Sequence, residues 1–178
     1  MANDYAVVRL DSVKATKNGG IKSGRYFVST TATACENANL VKLDSLITGQ
    51  RELWKVVAPA AVTAGNLYVV ATPEIIYDET LKSSGALNQF RNEAGTNITL
   101  IPLEVGDNIS ISDTAITPIN DDDDVVAVGS YVTPSVSGTK WTEVSSIASN
   151  EVFYGKVIAR ELYKKDKYLN VIEMLSVR

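Results

Sequence analysis

Along most of the chain, short runs of β-branched and aromatic residues are broken by Gly, Pro, Asn and Asp, the pattern of an all-β protein. The strictest alternation is Ile109-Ser110-Ile111-Ser112, which puts apolar side chains on one face of a strand and polar ones on the other. Near the start, Lys17-Asn18-Gly19-Gly20 reads as a tight turn, because Asn-Gly accepts positive φ. Residues 5–13 and 21–33 are therefore expected to form a first hairpin. Residues 53–61 and 66–71 read as a second pair of strands, joined through Pro59, Ala64 and Gly65, with a short strand at 75–77. The intervening apolar set Leu40, Val41, Leu43, Leu46 and Ile47 fits either a strand or a helical turn.

Between Asp78 and Thr96 the β pattern fails. Ala86, Leu87, Phe90 and Ala94 fall at helix-like spacing between Gly85 and Gly95, which predicts one short helix or a long loop over 78–96. Strand patterns resume at 98–103 and 109–112, and are expected again at 125–132 and 140–144. The clearest hairpin is the last, with 152–163 and 168–177 flanking the charged turn Lys164-Lys165-Asp166-Lys167. The expected fold is an antiparallel β-sandwich or barrel-like module. With no internal repeat and no low-complexity linker, residues 1–178 read as a single domain, with a possible subdivision near 120–139.

Composition narrows the chemistry. The chain has no histidine and a single cysteine, so Ser-His and Cys-His catalytic pairs, Cys/His zinc sites and intrachain disulfides are excluded. No stretch approaches a membrane span and no secretory signal is visible, so folding in a cytoplasm is expected. The sequons at Asn97 and Asn108 are then expected to be coincidental. A net charge of -4 argues against a dedicated nucleic-acid binder. The charge is uneven: residues 140–178 hold seven positive and five negative side chains, and the first 139 hold ten and sixteen.

Asp121, Asp122, Asp123 and Asp124 are the most conspicuous local feature. Carboxylates are calcium ligands, but an EF-hand loop needs acidic residues at alternate positions and then a Gly, whereas Val125 and Val126 follow directly. The run reads first as a solvated loop or a contact for a basic neighbour, with a calcium site at Asp121, Asp122, Asp123 and Asp124 kept as the lesser alternative. Cys35 reads as a buried thiol with no base to activate it. Glu74, Asp78 and Glu79 form no distinctive glycosidase pair, and Gly19, Gly20 and Gly24 lack the spacing of a phosphate loop. The aromatics, Trp54, Tyr68, Trp141, Phe153, Tyr154, Tyr163 and Tyr168, lie in strand-like runs and read as core and cross-strand packing. No catalytic residue or cofactor site emerges, no metal site beyond the lesser calcium alternative at the aspartate run, and the protein is expected not to be an enzyme.

Taken together, the acidic, His-free β pattern and segments such as Ala64-Gly65-Asn66-Leu67-Tyr68-Val69-Val70, Leu103-Glu104-Val105-Gly106-Asp107-Asn108-Ile109-Ser110 and Phe153-Tyr154-Gly155-Lys156-Val157-Ile158-Ala159 resemble tailed-bacteriophage virion proteins, in particular capsid decoration (cement) proteins. The resemblance is one of style over most of the chain. It implies a structural protein on the outer capsid surface, made in the host cytoplasm, with the major capsid protein and copies of itself as partners. Leu87, Phe90 and Arg91 in the non-sheet segment, the basic turn Lys164, Lys165 and Lys167, and the first residues are the candidate contacts. A tail or head-tail connector component and a carbohydrate-binding β-sandwich remain open beside it.

Overall fold

The computed structural model describes residues 4–10, 13, 18–60, 66–75, 87–119, 125–136, 138–164 and 167–177. The fold is nearly all β, built from two sheets. Strands β2 (Lys22–Val28), β4 (Leu40–Leu46), β5 (Leu53–Val57), β6 (Leu67–Val70) and β7 (Ile98–Pro102) form the first sheet, and the short β3 (Thr31–Ala32) folds back on β2. Its order is β2-β5-β4-β6-β7, and because β7 also pairs with β2, it closes into a five-stranded barrel. The β2–β5 pair is parallel and the other pairs are antiparallel. Gly24 lets this small barrel close. A Cβ there would stand 2.9 Å from Leu100 Cδ1 and 3.2 Å from the Trp54 carbonyl oxygen.

The second sheet has the order β1-β8-β13-β12-β10-β11-β9. Its strands are β1 (Val8–Arg9), β8 (Asn108–Ser112), β9 (Ile116–Thr117), β10 (Tyr131–Pro134), β11 (Trp141–Val144), β12 (Phe153–Lys164) and β13 (Lys167–Val177). Strands β8 and β9 are joined by a single 3-10 turn, Asp113–Ala115, yet four strands separate them in the sheet. Four Cα steps span at most about 14 Å, whereas five spacings of a flat sheet amount to about 24 Å. The sheet must therefore curl on itself, and its concave side becomes the core.

Barrel and curled sheet share a wall. Leu40, Val69 and Ile101 lie opposite one another on β4, β6 and β7 and face the larger core, together with Ile109, Ile111, Val157, Ile172 and Met174. Their chain neighbours Val41, Val70 and Leu100 point the other way, into the barrel with Val56 and Ile98. Burial on both faces explains why Leu67–Val70 and Ile98–Pro102 read as near-continuous apolar runs rather than alternating ones. Trp141, fully buried against Phe153, fastens the two sheets by donating its indole N–H to the Ala38 carbonyl at 2.9 Å. Ala38 holds a positive φ of 65° at this turn, a conformation an L-residue adopts only where its surroundings compel it.

The terminal hairpin, β8 and β11 form where the alternation places them. Both early hairpins do not. β1 pairs with β8 at Val8–Ile111, and β2 pairs with β5 and β7, so the Asn18–Gly20 segment is a 3-10 turn between strands of different sheets. Likewise β5 and β6 never touch as partners; β4, the segment of open character, lies between them as a strand. Residues 125–127 are not strand, and pairing begins only at Tyr131. In the non-sheet segment the regular helical structure among the described residues is the three-residue 3-10 turn Leu87–Gln89, in keeping with the expected short helix or long loop. Ile75 is not in a strand, and residues 76–86 lie outside the described residues.

Candidate interaction surface

The terminal hairpin builds the surface of greatest chemical interest. Pairs facing each other across β12 and β13 share a side, and towards the base these are Gly155 with Met174 and Val157 with Ile172, all buried in the core. A bulge at Ile158 shifts the register, so the next pairs on that side are Arg160 with Asn170 and Leu162 with Tyr168. The apolar face thus turns polar where the hairpin outruns the sheet beneath it. Asp113, from the turn that closes the curl, meets it there. Its carboxylate accepts from Arg160 Nη2 and from Asn170 Nδ2, each at 2.8 Å. The Arg160 guanidinium also lies over the Tyr168 ring, 4.6 Å from its centroid, a favourable cation–π arrangement.

A cleft of about 630 Å³ opens at this corner. Its described lining carries three acidic side chains, Asp4, Glu36 and Asp113, and three basic ones, Lys140, Arg160 and Lys167. Burial raises the Tyr163 hydroxyl above its ordinary pKa, and the Asp4 carboxylate adds to this, so the phenol stays protonated at neutral pH.

The described residues of three separate sequence candidates, Lys164 and Lys167 of the basic turn, Asn88 of the non-sheet segment and Asp4 of the first residues, meet in one cluster; residues 1–3 lie outside the described residues. Asp4 accepts from Asn88 Nδ2 at 2.7 Å and is ion-paired with Lys167. Lys164 Nζ donates to Asn88 Oδ1 at 3.3 Å, and the Tyr5 amide donates to the Asn88 carbonyl at 2.8 Å. Burial pushes the Asp4 carboxyl up, but the hydrogen bonds from Lys167 and Asn88 outweigh it and leave the pKa lowered. Lys167 is raised, chiefly by its bond to Asp4. Arg91 grips Glu93 at 3.0 Å and covers the Tyr5 ring, and Leu87 and Phe90 are half-buried. Lys164, Lys167 and Arg91 are thus engaged within the molecule, tying the N-terminal segment to the hairpin tip. Lys165 lies outside the described residues.

The four aspartates at 121–124 also lie outside the described residues, but their flanks are fixed. The buried Glu143 carboxylate on β11 accepts the Ile119 amide at 3.1 Å and the Ala127 amide at 2.9 Å, holding the described chain on either side of the aspartates. Ile119, Val125 and Val128 in these flanks are exposed. Among the described residues no group of three or more His, Cys, Asp or Glu side chains is placed to hold a metal ion. No helix among them is long and apolar enough to cross a membrane. Cys35 is buried, and burial, with a smaller contribution from Glu36, pushes its thiol up to about 12.

A second polar centre supports the non-sheet segment from below. Asn37, 1% exposed, uses both lone pairs and both amide hydrogens. Oδ1 accepts from the Thr72 amide at 3.1 Å and from Asn92 Nδ2 at 3.2 Å, while Nδ2 donates to the Thr72 carbonyl and to Glu74 Oε1, both at 2.9 Å. Asn92 and Cys35 exchange backbone hydrogen bonds, both at 3.0 Å. Sequence reasoning missed Asp113 and Arg160, which act on each other across 47 positions; Asp4 and Asn88 fell within segments expected to make contacts, but their partners, 76 to 163 positions away, were not legible. The available signal was an arginine in the middle of an otherwise amphipathic terminal strand.

No protein-family model, curated protein sequence or solved structure matches this chain.

Proposed function

We propose that this protein is a non-enzymatic structural component of a bacteriophage virion that binds the outer capsid surface and stabilises the shell. The observation that carries the reading is the composite surface at the hairpin tip. Three segments distant in sequence, at Asp4, Asn88 and Lys164 with Lys167, are locked together by hydrogen bonds and an ion pair. Exposed Ile158 and Leu162 lie on the same hairpin. A surface fixed in advance loses little conformational entropy on docking. The rigid β framework beneath it suits a protein whose work is adhesion, and the sole thiol, buried and protonated, supports a role without covalent chemistry.

The test is co-sedimentation of the purified chain with isolated phage heads of its source, with separated tails as comparison. Saturable binding to heads, accompanied by a higher temperature of shell disruption, is the expected result. Binding to tails alone moves the protein to the tail or connector, and binding to neither overturns the proposal.

A further inference from the structure

We infer that the cleft at the mouth of the curled sheet is a binding site for a neutral saccharide, a role separate from shell attachment. Its volume of about 630 Å³ falls within the range of small-ligand sites. Its charges select against ions. The acidic and basic side chains of the described lining balance, and Asp113 with Arg160 and Asp4 with Lys167 are already paired. An ion that recruited Asp113, Arg160, Asp4 or Lys167 would have to break those pairs, which leaves only Glu36 and Lys140 of the lining charges to meet it.

The cleft offers what a sugar ring needs. A pyranose has an apolar C–H face and a rim of hydroxyls that both donate and accept. Tyr163 and Tyr168 line the cleft, and Tyr168 keeps 39% of its surface open while Arg160 backs its ring. The Asp113 carboxylate and Arg160 guanidinium are planar groups with side chains 25% and 19% exposed. Asp113 is held by two hydrogen bonds of 2.8 Å, so it meets vicinal hydroxyls without first being ordered. The hydroxyls of Thr114 and Thr117 extend the polar rim.

The experiment is an NMR titration of the full chain with maltohexaose, cellohexaose, chitohexaose and mannohexaose, with hexagalacturonate as the anionic comparison. At least one neutral hexasaccharide is expected to shift the amides of Thr117, Tyr163 and Tyr168. Tyr168→Ala should weaken that binding by about tenfold or more. Thr117→Trp, at an exposed position on the rim, should block it without altering thermal unfolding or co-sedimentation with heads. The inference is overturned if none of the four neutral sugars perturbs these amides. It is equally overturned if binding survives both substitutions, or if only hexagalacturonate binds and salt abolishes the effect.

Discussion

Replacing Asn37 by Asp changes one atom of a side chain that is 1% exposed and reverses half of its hydrogen bonding. The Oδ1 contacts to Thr72 and Asn92 can persist. The Nδ2 position becomes an oxygen facing the Thr72 carbonyl and Glu74 Oε1, both 2.9 Å away. Two hydrogen bonds worth about 1 kcal/mol each are lost, and the Thr72 carbonyl is left unsatisfied at roughly 1–3 kcal/mol. Repulsion between the two carboxylates adds up to about 4 kcal/mol, less whatever Glu74, which is half-buried, recovers by turning away. A loss of about 3–5 kcal/mol at pH 7 is expected, measured by urea unfolding followed through tryptophan fluorescence. The new carboxyl has a folded-state pKa raised above its unfolded value of about 3.9. Its penalty is therefore full above the folded pKa and fades as pH falls towards the unfolded one. Adding Glu74→Gln should restore more than half of the loss, because the Gln amide can donate to the new Asp. A loss below about 1 kcal/mol, or one equal at pH 4 and pH 7, would refute this account of Asn37.

Gly155→Ala would place a Cβ 2.4 Å from Ile172 Cγ2 and 2.9 Å from the Glu173 carbonyl oxygen, and should cost about 2–3 kcal/mol. Gly138→Ala, which meets nothing within 4 Å, should stay within about 0.5 kcal/mol; equal effects by chemical denaturation would contradict the packing described for β12. The Cys35 thiol, raised to about 12, should resist iodoacetamide at pH 8 until the protein unfolds, and labelling at the rate of a free thiol would show that it is not buried. The Asp4 and Lys167 tie should hold only between two limits. Asp4 is lowered, so its contribution is present above an unfolded value of about 3.9 and lost as pH falls through the folded one; Lys167 is raised, so its contribution is present below about 10.4 and lost as pH rises through the folded pKa. Protection of the Tyr5 amide against hydrogen exchange reports this, and a protection factor unchanged at pH 3 would count against the tie. Glu143→Gln keeps one acceptor and turns a donor towards a backbone amide, so about 1–3 kcal/mol should be lost, with faster exchange at Ile119 or Ala127; unchanged exchange at both would mean the loop ends are held by something else.

The sequence pattern identified the all-β class and the last hairpin because both rest on local signals. Ile109 and Ile111 alternate with serines, and the charged turn separates two amphipathic strands. Pairing elsewhere is set by long-range burial. Asn18-Gly19-Gly20 has the composition of a hairpin turn, but Val8 gains more by pairing with Ile111 over the core than by turning back on β2. Leu67–Val70 gave no face to choose because both of its faces are buried. The cleft was invisible for a related reason. Uninterrupted alternation from Val157 would turn Ala159 and Glu161 inward, and only the bulge at Ile158 brings Arg160 to the concave side opposite Asn170.

The wall shared by β4, β6 and β7 has a consequence for how the chain can be cut or evolve. If the curled sheet were removed, Leu40, Val69 and Ile101 would face water; if the barrel were removed, the curled sheet would lose its lid. Neither half is a module that can be excised, transplanted or duplicated by itself, and unfolding should be a single cooperative event. Insertions should be tolerated only where the chain leaves the wall, as between Ile119 and Ala127, whose amides Glu143 holds fast.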